Sequence, residues 1–96
     1  MNIGTVVTLV TAQGEIVGRL ASYDDHYITL SRPRISSDLS IIDANAAEDF
    51  FTSGISVTGE TSPESLSFSL SMVLAITVTE KSFAEKWAAR AHDWII

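Results

Sequence analysis

The sequence contains no cysteine in its 96 residues. Disulfide bonds, metal sites built from thiolates and a cysteine nucleophile are therefore excluded. The first charged residue is Glu15, so the basic start of a secretory signal peptide is missing. The longest uncharged run, Ser65 to Thr79, is shorter than the roughly 20 apolar residues that span a bilayer. We therefore expect a cytoplasmic protein that does not insert into membranes.

Basic residues are scarce as well, since 6 Lys and Arg stand against 12 Asp and Glu and give a net charge of −6. DNA coating is not expected from such a chain, although a local site for a few nucleotides is compatible with it. The length fits one domain, 1–96. Because 46% of the residues are apolar, we expect some of them to be buried against another copy of the chain.

Residues 5–31 predict a three-stranded meander. The β-branched run Thr5 to Ala12 is followed by the turn residues Gln13 and Gly14, and then by alternating strands over 15–23 and 27–31. Asp24 to His26 forms a polar corner between the last two strands. Because proline has no N–H, we expect Arg32-Pro33-Arg34 to end the regular pairing of the third strand or to place it at an edge.

Residues 65–79 predict strands four and five. In Ser65 to Leu74 every second residue is apolar and serines stand between them, which is typical of a half-buried strand. This alternation breaks near Val73 to Ala75, where we expect a kink before the last strand. Residues 35–64 form a variable insertion without one clear structure.

Residues 82–94 predict a C-terminal helix. Ser82 and Glu85 have the spacing of a capping box. Four apolar side chains recur at helical spacing and form a stripe that we expect to pack on the sheet or on a neighbouring subunit; they are Phe83, Trp87, Ala91 and Trp94.

The stretch Gly18-Arg19-Leu20-Ala21-Ser22-Tyr23-Asp24-Asp25-His26-Tyr27 resembles the first signature of the Sm and Sm-like proteins. That signature has a glycine in a bent second strand, an apolar residue two positions on, an aspartate six positions on, and an aromatic residue or histidine two positions later. The resemblance covers about residues 3–31. It implies a mostly β protein, a small five-stranded, strongly bent open barrel, to which this chain adds a C-terminal α-helix.

The resemblance also implies homo-oligomeric rings that bind single-stranded RNA at the inner rim, between the loops after strands two and four. Asp24 matches the aspartate that organises the first loop, and His26 matches the position that stacks on a base. The chain departs from the family at Tyr27 and Ile28, where Met-Asn is usual, and at Met72 to Ile76, which lacks the Arg-Gly pair of the second signature. In addition, the family helix usually precedes the barrel.

The candidate RNA-binding residues are therefore Asp24, His26, Tyr27, Arg32 and Arg34. His26 could instead be an ordinary loop histidine, and Asp24 with Asp25 could form a turn pair or bind a divalent ion. Arg32 and Arg34 could contact phosphates or form salt bridges with a neighbouring copy. A Ser–His–Asp arrangement can be drawn through His26, but no nucleophile elbow or glycine-rich loop accompanies it. We therefore expect no enzymatic activity, no cofactor and no metal.

Assembly is predicted independently of the family. The run Ser65 to Thr79 contains no charge, proline or glycine, and an exposed edge strand of that composition would promote aggregation. We therefore expect the run to be paired on both sides, with the second side formed by another copy in a ring of five to seven subunits. Two hypotheses follow: a ring that binds single-stranded RNA, or a structural or protein-interaction ring without a nucleic-acid site.

Overall fold

The computed structural model describes residues 1–12, 14–36 and 63–93, the last four of them as helix backbone only. These residues form one five-stranded antiparallel sheet in the order β4-β3-β2-β1-β5, followed by a single helix, α1. The predicted mostly β fold with a C-terminal helix is confirmed at this level, and the sheet is open rather than closed. The strands are β1 (Val6–Thr11), β2 (Gly14–Tyr23), β3 (Tyr27–Ile35), β4 (Ser65–Ser69) and β5 (Val73–Val78), and the helix is α1 (Lys81–Asp93).

The core lies on the inner face of the three central strands, β1 to β3. Partly buried side chains from β3, β4, β5 and the connection between β4 and β5 pack against it. Burial of these apolar groups is the main contribution to the stability of so small a domain. The core side chains are Val7, Leu9, Ile16, Leu20, Ile28 and Leu30.

Two glycines of β2 have the roles that the sequence predicts for them. Gly14 has a φ of +134°, which only glycine adopts easily, and the hydroxyl of Thr11 donates a 2.8 Å hydrogen bond to its carbonyl across the turn. Gly18 is buried against β3: a Cβ at this position would lie 2.9 Å from the Cβ of Leu30 and 3.1 Å from the carbonyl oxygen of Ser31. The missing side chain therefore permits β2 and β3 to approach closely.

Of the two alternatives for Arg32-Pro33-Arg34, an end of the third strand at Ser31 is wrong, because β3 continues to Ile35. The edge position fits the structure within the described residues, since beyond Ser31 β3 pairs with β2 and not with β4. Its pairing with β2 shifts register between Ser31 and Arg34, so the extra residue forms a bulge. Arg32 has a φ of +47° there. Because a bulge takes Pro33 out of the regular ladder, proline is accommodated without ending the strand. Only the pairing with β4 ends at Ser31.

The expected irregularity between the fourth and fifth strands has two parts. One turn of 3₁₀ helix at Leu70–Met72 precedes the expected position, and a bulge at Leu74 lies within it, between Val73 and Ala75. Because the turn reverses the alternation, Val73 packs against the core while Met72 and Leu74 are 61% and 74% exposed. The prediction that one continuous apolar face runs to Leu74 is therefore wrong.

Helix α1 begins one residue earlier than expected, at Lys81, and its cap is not the predicted Ser82–Glu85 box. The carboxylate of Glu80 accepts hydrogen bonds from the backbone N–H of Ser82 at 3.1 Å and from that of Phe83 at 3.4 Å. It also accepts one from the Ser82 hydroxyl. This hydroxyl bond, followed by the backbone bonds, lowers the pKa of Glu80. A carboxylate at this end also interacts favourably with the helix dipole.

The predicted packing of Trp87 on the sheet is confirmed. Its side chain is 2% exposed, and its indole N–H donates a 2.9 Å hydrogen bond to the carbonyl of Arg32 in the β3 bulge. The Arg19 guanidinium lies 5.6 Å from the centre of the Trp87 ring and donates a 2.8 Å hydrogen bond to the carbonyl of Gly4. These contacts attach the helix to the outer face of the sheet. Trp94 and almost all of the expected insertion, at 37–62, lie outside the described residues.

Within the described residues, no helix combines the length and the apolar character needed to cross a lipid bilayer.

Candidate functional site

Asp24 organises the loop between β2 and β3. One carboxylate oxygen accepts hydrogen bonds from the backbone N–H groups of His26 and Tyr27, each at 2.8 Å, and the N–H of Asp24 donates to the carbonyl of Tyr27 at 2.9 Å. The aspartate is fully exposed and is stabilised in its ionised form by these donors. The backbone hydrogen bond from His26, and then that from Tyr27, lowers the pKa of Asp24. The loop is therefore held in one conformation at neutral pH.

This lowered pKa predicts the pH dependence of the loop. A carboxylate whose pKa is depressed by folding stabilises the folded loop above its unfolded-state pKa, and the stabilisation is lost as pH falls through the folded-state pKa. We expect the amide signals of His26 and Tyr27 in an NMR titration to move together, with a midpoint below the usual aspartate value. Asp24→Ala should abolish this transition, whereas Asp25→Ala should retain it. A midpoint at the usual value, or one that survives in Asp24→Ala, would contradict the assignment.

An open groove of about 490 Å³ lies beside this loop. Its described lining comes from the β2–β3 loop on one side and from the end of β4 and the 3₁₀ turn on the other. The backbone N–H of Leu70 donates a 2.9 Å hydrogen bond to the carbonyl of His26 and joins the two sides. The lining residues are Asp25, His26, Tyr27, Ser69, Leu70 and Ser71.

The described lining of the groove presents two rings, one carboxylate, two serine hydroxyls and the phenol hydroxyl of Tyr27. His26 is exposed and the side chain of Tyr27 is 54% exposed, so both rings are accessible to a planar ligand. The hydroxyls of Ser69 and Ser71 lie 2.8 Å apart. Among the described lining residues, only His26 can carry a positive charge. The groove therefore has rings for stacking and hydroxyls for hydrogen bonding, and little charge to attract phosphate.

The structure brings Asp24, His26 and Tyr27 together and places the two arginines elsewhere. Arg32 follows Tyr27 by five positions on β3, which is roughly 16 Å along an extended strand. Its side chain is half-buried, and its backbone N–H donates to the carbonyl of Glu64 at 2.8 Å. Arg34 is only 4% exposed. Neither arginine belongs to the groove.

Ile28, which stands where the family reads a base with asparagine, is a core residue at 2% exposure. The residues that the sequence reasoning missed are Ser69, Leu70 and Ser71. The sequence feature that could have identified them is the serine alternation, which continues into the 3₁₀ turn. Within the described parts of the chain, no group of three or more histidines and carboxylates is placed to hold a metal ion.

No protein-family model matches this sequence, and a search of the curated proteins finds no match to it. The function must therefore be argued from the geometry of the chain.

The outer edge of β4 is a second candidate site. The N–H of Leu70 donates to His26 and the N–H of Arg32 donates to Glu64, so these residues form two hydrogen-bonded pairs between β3 and β4. In an antiparallel ladder, hydrogen-bonded pairs alternate with pairs that are not hydrogen-bonded. Leu66 and Phe68 therefore bond to β3. The backbone groups at the alternate positions point away from the sheet; they belong to Ser65, Ser67 and Ser69.

The outer edge of β5 follows the same rule. The N–H of Thr79 donates to the carbonyl of Val6 at 3.0 Å, which makes Thr77 and Ala75 the next bonded positions along β1. The backbone groups of Ile76 and Val78 point outward. Within residues 1–12, 14–36 and 63–93, neither outer edge is paired with another strand.

The β5 edge also exposes apolar side chains. Leu74 is 74% exposed and Val78 is 56% exposed, although Val78 stands opposite the core residue Val7 and faces the inner side of the sheet. Neither β4 nor β5 contains a charged residue or a proline. Unpaired edges in natural sheets usually carry charges, prolines or bulges that prevent association. Of these protective features, β4 and β5 have only the bulge at Leu74, so their outer edges are suited to pairing with another strand.

Proposed function

We propose that the protein is a non-enzymatic subunit of an Sm-like homo-oligomeric ring, and that single-stranded RNA binds in the groove at His26. The ring part is supported by one observation above all. Among the described residues, both outer strands of the sheet present unpaired backbone groups at alternate positions, and neither strand carries the charges or prolines that would protect it.

The two edges differ from one another, and this favours a ring over a symmetric dimer. The β4 edge presents the backbone of serines, whereas the β5 edge presents that of Ile76 and Val78. Pairing β4 of one copy with β5 of the next is a head-to-tail contact, which leaves one free edge of each kind on every complex. Only closure into a ring satisfies all edges. The expected size is five to seven copies.

Side chains support the same contact. A strand added beside β5 would bring its own inner face next to Ile76 and Val78. On β4 that inner face carries Leu66 and Phe68, which stand opposite the core residues Leu30 and Ile28 and are only partly buried. Their pairing would extend the core from one subunit into the next and remove exposed apolar area from water.

The RNA part is supported by the two accessible rings of the groove. Stacking of a base on an aromatic ring contributes about 1–3 kcal/mol and does not depend on sequence. Because His26 is the only described lining residue that can be cationic, we expect few phosphate contacts. The affinity should therefore depend weakly on salt concentration, since the slope reflects the number of phosphates that are neutralised.

We expect His26→Ala to weaken the binding of oligo(U) or oligo(A) by roughly 5- to 150-fold, the loss that corresponds to one stacked base. Fluorescence anisotropy in moderate salt measures the affinity. His26→Phe is the matched variant, since it retains a ring for stacking and should recover most of the binding. Equal affinities of wild type and His26→Ala would contradict the proposed site.

The second candidate function is a structural or protein-interaction ring without a nucleic-acid site. The carboxylate of Asp25 in the groove and the net charge of −6 favour it, because both repel phosphates. A wild-type protein that forms rings and fails to bind either oligonucleotide at low salt would establish this alternative over the RNA proposal.

A further inference from the structure

An apolar pocket of about 240 Å³ opens on the inner side of the bent sheet, separate from the polar groove except for a shared wall at Leu70. It is enclosed by β2, β3, the 3₁₀ turn, β5 and the N-terminal segment. The described lining residues are Met1, Leu20, Tyr23, Ile28, Leu70 and Ile76.

The pocket is preformed by the core. Leu20 and Ile28 are each 2% exposed, and Ile76 stands opposite the core residue Leu9 across the β1–β5 ladder. Leu70 is fixed through its backbone hydrogen bond to His26. The N–H of Gly4 donates a 2.8 Å hydrogen bond to the carbonyl of Leu20, which brings the segment that begins with Met1 to the opening.

The chemistry of the lining defines the ligand. Tyr23, whose side chain is 63% exposed at the rim, carries the one nitrogen or oxygen atom among the described lining side chains. None of these residues has an acidic side chain, so a cationic ligand would lose its hydration without compensation. An apolar cavity of about 150 Å³ accommodates a benzene ring, and the present pocket therefore has room for two fused rings.

We propose that this pocket binds a small, neutral, largely apolar ring compound, with one polar group directed to the hydroxyl of Tyr23. Binding of this kind depends on burying apolar ligand surface against a rigid floor and needs no RNA. Because Ile76 lies both in the lining and beside the proposed subunit contact, the inference goes beyond the proposed function, and its test includes the assembled protein.

Indole is a suitable probe, because it has two fused rings and one N–H. Ligand-observed NMR on the full chain should give a Kd below about 1 mM for indole, in keeping with the limits for so small a ligand. Tryptamine, which has the same rings and a positive charge, should bind at least tenfold more weakly. Equal binding of the two compounds, or no saturable binding of indole, would overturn the proposal.

Ile76→Phe fills the pocket and should weaken indole binding at least tenfold. Ala88→Phe is the matched control, because it adds the same ring at an exposed position of α1, outside the lining and outside the proposed subunit contact, and should leave binding unchanged. Circular dichroism must show that both variants fold, and Tyr23→Ala provides a second lining variant that leaves the core intact. If indole binds only a dissociated monomer and is excluded from the assembly, the pocket is filled by a second copy and the proposal is wrong.

Discussion

Replacing Ser67 with proline is expected to convert the assembly into a folded monomer. The N–H of Ser67 points to the open edge of β4, so proline there removes a donor that the ladder to β3 does not use. An adjacent copy, by contrast, loses a hydrogen bond and meets the proline ring at the centre of the contact. Light scattering should show a mass near 10.4 kDa, while circular dichroism retains the β signal.

Two variants separate this effect from others. Ser67→Ala removes the 2.7 Å hydroxyl contact with Thr29 but keeps the backbone donor, and it should assemble like the wild type. Leu66→Pro places the same ring one residue earlier, where the N–H bonds to β3, and it should unfold the protein. A folded Ser67→Pro protein with the mass of the wild-type assembly would show that the β4 edge is not an interface.

Gly18→Ala is expected to lower the free energy of unfolding by about 1–3 kcal/mol, which is the usual cost of overpacking a core. The new Cβ would lie 2.9 Å from the Cβ of Leu30 and 3.1 Å from a backbone oxygen, and neither atom belongs to the flexible end of a side chain. Alanine restricts the unfolded chain and so stabilises by about 0.4–1 kcal/mol, less than the cost of the clash. Thermal unfolding should shift down by about 4–8 °C per kcal/mol.

Ala21→Val is the control, because it adds bulk at an exposed position of the same strand. Its effect should stay within about 0.5 kcal/mol. Gly18→Val should be worse than Gly18→Ala, since two further methyl groups have to enter the space between β2 and β3. A Gly18→Ala protein as stable as the wild type would contradict the close approach of these strands.

The first three strands could be predicted from sequence because alternation and turn residues are both local signals. The extension of β3 could not, since it depends on a bulge at Arg32 whose carbonyl accepts the indole N–H of Trp87, far along the chain. A proline ends a strand in most contexts, and Pro33 is accommodated because the bulge in the β2–β3 pairing takes it out of the regular ladder.

The 3₁₀ turn at Leu70–Met72 could not be predicted from the serine alternation for a different reason. Ser69 and Ser71 continue the polar pattern of β4, but their hydroxyls bond to each other, and that of Ser69 accepts from the N–H of Ser71 at the start of the 3₁₀ turn. Serine is compatible with both structures, so the pattern does not separate them. At the helix, the carboxylate of Glu80 accepts the N–H groups of Ser82 and Phe83, so the cap lies two residues before the predicted one.

The loop side of the candidate site was predictable because Asp24 to Tyr27 are contiguous in sequence. The other side, Ser69 to Ser71, follows much later in the sequence. The pairing of β4 with β3 brings these residues next to the β2–β3 loop. The placement of the arginines depends on the length of β3. A strand ending at Ser31 would leave them on a loop, whereas the observed strand carries them away from His26.

The central claim is that the open edges of β4 and β5 are completed by other copies of the same chain. The most direct test is the mass of the wild-type protein in solution, measured by native mass spectrometry and light scattering at tens of micromolar. The account predicts one species with five to seven times the 10.4 kDa mass of the chain. A stable monomer of 10.4 kDa would contradict it.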